Sequence, residues 1–405
     1  MFKKWLAMVL SSALLALPSL AADNLKTAFT EGEFRGQIRM YYYQRDYDEQ
    51  NTREDIAGGG NFYYRTAPLY GVNAGFAFYT AQAMSFNDDD KDVYGLLATD
   101  DKGDHESFSV LGEAFVQFSR WHSTFKIGRQ EMETPWINTD DNRLTPQSTS
   151  GYTLTNKGIS GLDIAAGHVL RMRGKADTEF ESMTEYAGFS EANEPVTFAG
   201  LVYSGLKDIK IQLWDYYAHD YLNNIYFKTD YSRRITDRLL GFCSLQYLDQ
   251  QDVGDKVGGR LETYMYTLEG GLEINGLTVS LAYGGIGDDA IHYAWGHDLI
   301  ISGQLNDLGR ADETGMMAKV GYDFGGIGID GLSAKVLYMD FNTPENGRNA
   351  SPDYTDIDLD IKYKLRGFFE GLAIRARHAI IDEDEHKGGE DYTDSRLYLT
   401  YDLAL

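Results

Sequence analysis

The chain has 405 residues, with 62 Asp and Glu against 37 Lys and Arg and a formal net charge of −25, a balance that excludes nucleic acid as a partner because an acidic surface repels phosphate. The lone Cys243 permits no internal disulfide, so something else must hold the fold. With 43 Gly, 29 Tyr and 20 Phe against 7 Pro, the composition suits many strands joined by tight turns, a fold held by backbone pairing.

In chain order the first element is MFKKWLAMVLSSALLALPSLAAD. Lys3 and Lys4 precede an apolar run from Trp5 to Leu17, and Ser19-Leu20-Ala21 follows. This predicts a secretory signal peptide over residues 1–21, cleaved after Ala21, with 22–405 as one domain. The run is shorter than the ~20 residues that a spanning helix needs, and no Cys follows it to carry a lipid anchor. No later window approaches eighteen consecutive apolar residues, which excludes a helical membrane protein.

Strands begin at EFRGQIRMYYY, where Phe34, Ile38, Met40 and Tyr42 alternate with Arg35, Gln37, Arg39 and Tyr41. GVNAGFAFYT, LKDIKIQLWDYYA, NNIYFKTDYS, TYMYTLEGGLEI, GLTVSLAYG, MMAKVGYDF and GLSAKVLYMDF repeat the pattern. In DIDLDIKYKL, Ile357, Leu359, Ile361, Tyr363 and Leu365 share one face and Asp356, Asp358, Asp360, Lys362 and Lys364 the other. Strict alternation predicts half-buried strands without saying whether the apolar face meets a core or lipid. Segment length fits lipid, since about ten residues is what a tilted strand needs to cross a bilayer, and the N-terminal signal and the final strand decide it. The connections agree: Asn275-Gly276 and Gly367–Gly371 are short, whereas NDDDKDVYGLLATDDKGDHE and DEDEHKGGED are long and acidic. The chain ends on RLYLTYDLAL, with Leu397, Leu399, Tyr401, Leu403 and Leu405 on one face. This resembles the C-terminal signature that the barrel-assembly machinery reads in bacterial outer-membrane proteins, with Leu405 where Phe is usual. The predicted fold is therefore an all-β transmembrane antiparallel barrel, apolar face to lipid and charged face to a lumen.

Ile127 to Leu154, IGRQEMETPWINTDDNRLTPQSTSGYTL, is too polar to face lipid and sets Arg129, Asp140, Asp141 and Arg143 close together. It resembles the constriction-loop region of the OprD family of outer-membrane porins, matching Gly128-Arg129, Pro135 and the D-x-R-L-x-P-x-x-x-x-G pattern at Asp141, Arg143, Leu144, Pro146 and Gly151. DIAAGHVLRMRGKADTEFESM, LKDIKIQLWDYYAHDYLNNIYFKTDY and GLAIRARHAII extend the resemblance over nearly the whole mature chain. It implies an eighteen-stranded channel (16–18 strands), monomeric or trimeric, with an inward-folded constriction loop and a ladder of basic side chains. It also implies passive uptake of small hydrophilic solutes, typically carboxylates, at the outer membrane, with no cofactor and no enzymatic activity. Lipid and lipopolysaccharide would surround it.

Site candidates follow from parity. Arg375 and Arg377 face away from Leu372, Ile374 and Ile380, about 6.8 Å apart, a spacing that suits passing an anion between guanidiniums. Pairing with Asp356, Asp358 and Asp360 is the alternative. Arg129 and Arg143 are expected at the constriction with Asp140 and Asp141 beside them. Arg143 pairing with either acid to shape the loop is again the alternative. Arg35, Arg39, Lys126 and Lys228 are further wall cations. The acidic runs Asp88–Asp92 and Asp382–Glu385 read as solvated loops rather than divalent-cation sites, and His292 and His297 near Asp298 are too few for a metal site to be assigned. Two other classes stay open: a structural or adhesive barrel, which conductance separates from a channel, and an outer-wall hydrolase, against which stand the absence of G-x-S-x-G and the place of His378 on its strand's apolar face.

Overall fold

The computed structural model describes residues 22–87, 91–190 and 192–404. Residues 1–21, where the sequence predicts a signal peptide, lie outside the described residues, as do Asp88 to Asp90, Glu191 and Leu405. Eighteen strands form the wall. These are β1 (Glu33–Tyr47), β2 (Arg53–Arg65), β3 (Val72–Ala83), β4 (Phe108–Arg120), β5 (Ser123–Gln130), β6 (Ser148–Ile159), β7 (Leu162–Arg173), β8 (Val196–Tyr203) and β9 (Ile209–Ala218). They continue with β10 (Leu222–Arg234), β11 (Leu239–Asp252), β12 (Glu262–Ile274), β13 (Leu277–Ile286), β14 (Thr314–Asp323), β15 (Leu332–Asn342), β16 (Tyr354–Lys364), β17 (Leu372–Glu383) and β18 (Tyr392–Ala404). Each runs antiparallel to its chain neighbours, and β18 returns to β1 with Arg35 opposite Ala404 and Tyr47 opposite Tyr392, which closes the barrel. Closure leaves no unpaired edge, the condition for a sheet to sit in hydrocarbon.

The alternation read in the sequence sorts the two faces. In β16, Ile357, Leu359, Ile361 and Tyr363 are exposed on the outside, while Asp356 and Asp358 are 0% and 2% exposed on the inside. This inverts the soluble arrangement and fits an outer surface solvated by lipid. Turns at one end are tight: Asn275 and Gly276 both have positive φ (50° and 88°), the geometry of a two-residue hairpin turn whose twist matches its strands. At the other end the connections are long, and those at 91–107, 131–147 and 287–313 turn back into the lumen.

Their apolar side chains fill part of it. Trp136, Ile137, Ile291, Trp295, Ile301 and Leu308 pack with Met172, Tyr216, Tyr226 and Leu248 of the wall. Across the lumen, Leu96, Leu97 and Leu144 pack against Tyr41, Tyr43 and Tyr398.

A sheet with every ladder closed unfolds only when many hydrogen bonds break together. The unheated protein in SDS is therefore expected to keep its barrel and to migrate differently after boiling. Identical migration before and after heating would sink the closed-barrel reading.

Candidate pore constriction

Loop 131–147 is held in the lumen by apolar anchors and polar pins. Trp136, Ile137 and Leu144 are at most 1% exposed, and the Trp136 ring stacks on Tyr293 with centroids 5.3 Å apart. Burying each such side chain contributes about 1.5–3 kcal/mol. The pins come from three directions. Arg39 of β1 forms a two-pronged pair with Asp141, with Nη2 to Oδ2 at 2.6 Å, and its Nη1 also donates to the carbonyls of Arg143 (2.8 Å) and Leu144 (3.3 Å). Asn61 donates to the same Leu144 carbonyl, and the Tyr43 hydroxyl donates to the Asn142 carbonyl. Lys175 pairs with Asp140 and donates to Asn142 Oδ1 at 3.1 Å. On the far side, Asn138 donates to the His297 carbonyl of loop 287–313.

Asp140 and Asp141 are thus consumed in shaping the loop, and by partners other than Arg143. Arg143 Nη1 instead donates to the Gly95 carbonyl at 2.6 Å and forms no ion pair among the described residues. Gly95 suits this place because its φ is +103°, a conformation that other residues rarely adopt, and a Cβ there, 2.5 Å from Arg143 Nη1, would push the guanidinium aside. Its own position is fixed because Asp55 accepts from the Gly95 and Leu96 amides at 2.6 and 2.5 Å. Burial lowers the Lys175 ammonium below the ordinary lysine value; Asp140 opposes the shift, and the Arg143 charge adds to it. The loop surface therefore carries one guanidinium whose charge is not neutralised by a carboxylate.

The wall residues behave differently. Arg375 makes two bonds to Asp360 (2.8 and 2.6 Å) and stays 34% exposed, while Arg377 Nη2 lies 3.9 Å from Asp358 and is 11% exposed. Both sit on the lumenal side, and both have the carboxylate partners that the sequence left as the alternative. Lys228 pairs with Asp298, Arg35 lies over the Tyr63 ring and Lys126 over the Phe115 ring.

Arg129 is a correction. Strand β5 continues to Gln130, so Arg129 still obeys the alternation that turns Phe125 and Ile127 outward. It stands on the outer wall at the loop end of the strand, bonded to the Leu111 carbonyl, and takes no part in the lumen.

The relationships of the chain agree with this geometry. The profile described as "outer membrane porin, OprD family" matches residues 27–405. The chain belongs to the OprD family of outer membrane porins. Porin D of Pseudomonas aeruginosa is 24% identical, over 91% of this chain and 90% of its own length. "Porin-like protein GalP" of Pseudomonas putida is 22% identical, over 98% of this chain and 97% of its own. Among solved structures, OccK9 (OpdG) of Pseudomonas aeruginosa superposes with a TM-score of 0.84 at 20% identity, covering 93% of this chain and 100% of that one. The same organism's OpdK, crystallised with vanillate, gives 0.81 at 18% identity over 93% and 100%.

Within this OprD-family barrel several groups escaped sequence reasoning. Glu131, at the root of loop 131–147, accepts from the Tyr63 and Tyr79 hydroxyls, both at 2.6 Å, and its amide donates to Glu113 at 2.7 Å. Burial and the neighbouring Glu113 push its carboxyl up to about 7, against the two tyrosine hydrogen bonds. Tyr94, from loop 91–107, accepts from Arg45 (2.8 Å) and Arg396 (2.9 Å) and donates to Asp394. No motif marks either group, because each partner is distant in sequence. The two loop histidines turn to different partners, His292 to the Tyr221 hydroxyl and His297 to Asp307, and no cluster of three potential metal ligands occurs among the described residues. His378 meets Ser395 across β17 and β18 on the outer face at 2.9 Å, but no hydrogen bond orients its other ring nitrogen among the described residues. A base without an orienting group lacks the third part of a nucleophile relay.

Proposed function

We propose that this porin sits in the outer membrane and passes small hydrophilic, carboxylate-bearing solutes by diffusion, with Arg143 as the cation they meet at the constriction and with Arg375 and Arg377 further along the path. The observation that carries this reading is that Arg143 lies on a loop pinned into the lumen while its guanidinium is held by a carbonyl and not by a carboxylate. A cation in such a narrow, partly desolvated place attracts an anion far more than one on an open surface does, because the effective dielectric is lower. Asp140 and Asp141, already paired, hold the loop's shape. Binding stays weak enough for release because Arg375 and Arg377 offer a charge already shared with Asp360 and Asp358. The crystallisation of the related OpdK with vanillate, an aromatic carboxylate, supports the same solute class. Swelling of liposomes carrying the purified protein tests it. Small monocarboxylates are expected to enter faster than amino acids or sugars of equal size, and equal rates for all three would remove the carboxylate preference.

Glu131 adds a pH dependence whose sign is fixed by its raised value. Below about pH 7 the carboxyl is neutral; above it, a negative charge appears beside the loop that carries Arg143. The preference for anions is expected to weaken as pH rises from 6 to 8, and Glu131→Gln is expected to abolish most of that change. Reversal potentials measured across the range check both. A dependence that persists in the variant would assign it to another group.

A further inference from the structure

We propose that the outer wall carries a built site for the phosphorylated headgroup of an outer-leaflet lipid, formed by Arg129, Arg171 and Phe180. Register places the two arginines in one cross-strand row: Arg129 of β5 faces Ser150 of β6, and Ser150 faces Arg171 of β7. Their backbones are therefore two strands apart, about 10 Å. A bulge in the β6–β7 pairing, between Ser150 and Gly151, keeps Arg171 on the same outward side as Arg129 although it stands an odd number of residues from Ile164, which also faces out.

Phe180, from the loop after β7, brings the two guanidiniums together. Arg129 Cζ lies over its ring at 4.4 Å, and Arg171 Nη1 donates to its carbonyl at 2.9 Å. Arg129 Nη1 is bonded to the Leu111 carbonyl at 3.1 Å. Both arginines are thus oriented by neutral groups, and neither forms an ion pair among the described residues. Glu179 and Glu181 flank Phe180 in sequence, yet among the described residues the hydrogen bonds of these arginines go to the Leu111 and Phe180 carbonyls and not to either carboxylate.

The height of the site identifies the occupant. Immediately towards the other end of the wall, Ile127, Tyr152 and Leu154 form the exposed apolar band. Arg129 and Arg171 follow this band on the side of the long loops with the exposed Leu111 and Leu170 beside them, so their charged heads stand at the upper margin of the apolar surface, where headgroups meet the acyl chains. A long side chain with its stem against apolar surface and its charged head at the interface is the favoured arrangement there, and anionic headgroups add attraction. Arginine's fork suits a phosphate with two oxygens exposed. A buried ion pair to a protein carboxylate would close such a site; none is present among the described residues.

This inference rests on placement in the outer membrane but not on solute selectivity, and its test reads lipid retention, not conductance. The protein in detergent is titrated with a bis-phosphorylated lipid A, and bound lipid is counted by native mass spectrometry. Wild type is expected to keep the lipid through detergent exchange, and R129Q/R171Q to need at least about tenfold more lipid for equal occupancy. R129Q and R171Q singly are expected to fall between, and a dephosphorylated lipid A is expected to bind wild type as weakly as the double variant binds the phosphorylated form. K157Q, at the opposite end of the barrel, is the control for bulk charge and is expected to bind like wild type. Heat-shifted migration of each variant establishes that it folds. Equal occupancy in R129Q/R171Q and wild type overturns the site. Displacement of the lipid by millimolar inorganic phosphate at no loss of affinity per phosphate overturns the assignment to a lipid headgroup.

Discussion

Replacing Arg143 by Glu is expected to lower the anion-over-cation permeability ratio by about tenfold while the barrel still assembles. The change removes one positive charge and adds a negative one at a point where two unit charges a few ångströms apart interact by about 1–4 kcal/mol, depending on how much water remains. A difference of about 1.4 kcal/mol is tenfold. Arg143→Gln separates the two accounts of this residue. If its charge sets selectivity, Gln gives an intermediate shift in reversal potential and little change in conductance. If its role is to tie loop 131–147 to loop 91–107 through the Gly95 carbonyl (2.6 Å), Gln and Glu both alter conductance and noise, with no ordered change in selectivity. Glu beside that carbonyl also loses the donor, so the Gln variant carries the cleaner comparison. Unchanged reversal potentials in both variants would take Arg143 out of the solute path.

The wall of this barrel was legible because the period-2 pattern depends only on local geometry. DIDLDIKYKL sorts into lipid-facing and lumen-facing sets in the structure as it does on paper, and β1 and β9 do likewise. The inward-folded loop 131–147 could be located from its polar, Pro-containing sequence and its family pattern. What could not be read was where a strand gives way to a loop. One residue decides whether Arg129 belongs to an alternating strand or to the segment folded inward, and propensity does not fix boundaries to one residue. Partnership was hidden for a different reason. Arg39 and Asp141 are separated by 102 residues, and only the closure of β1 beside β18 and β2 brings that arginine over the loop. Loop 287–313 mixes His, Trp, Ile and Asp without a period, so nothing in its sequence distinguishes a loop in the lumen from one in solvent.

The second large effect is expected at that same Arg39. Arg39→Ala should raise single-channel conductance and its noise without preventing assembly, because it removes four of the polar contacts that hold loop 131–147: two to Asp141 and those to the Arg143 and Leu144 carbonyls. Removing one partner of a buried pair costs about 3–5 kcal/mol. Arg39 is 7% exposed here but Asp141 is 37%, which places the loss towards the lower end of that range. That is still comparable to one or two of the apolar anchors Trp136, Ile137 and Leu144, each worth about 1.5–3 kcal/mol. The loop is then expected to sample detached states rather than to leave the lumen altogether. The barrel itself has no need of Arg39, since the β1–β2 and β1–β18 ladders run through backbone groups. Arg39→Lys keeps the charge but replaces a planar fork with a single ammonium that cannot span both Asp141 oxygens and two carbonyls, so an intermediate conductance is expected. The double variant with Arg143→Glu gives the decisive reading. Arg143 acts only while the loop is seated, so its effect on selectivity should shrink when Arg39 is absent, and the two changes should not add. Additive effects, or a conductance in Arg39→Ala equal to wild type, would mean that the apolar anchors alone hold the loop and that the Arg39–Asp141 pair is dispensable.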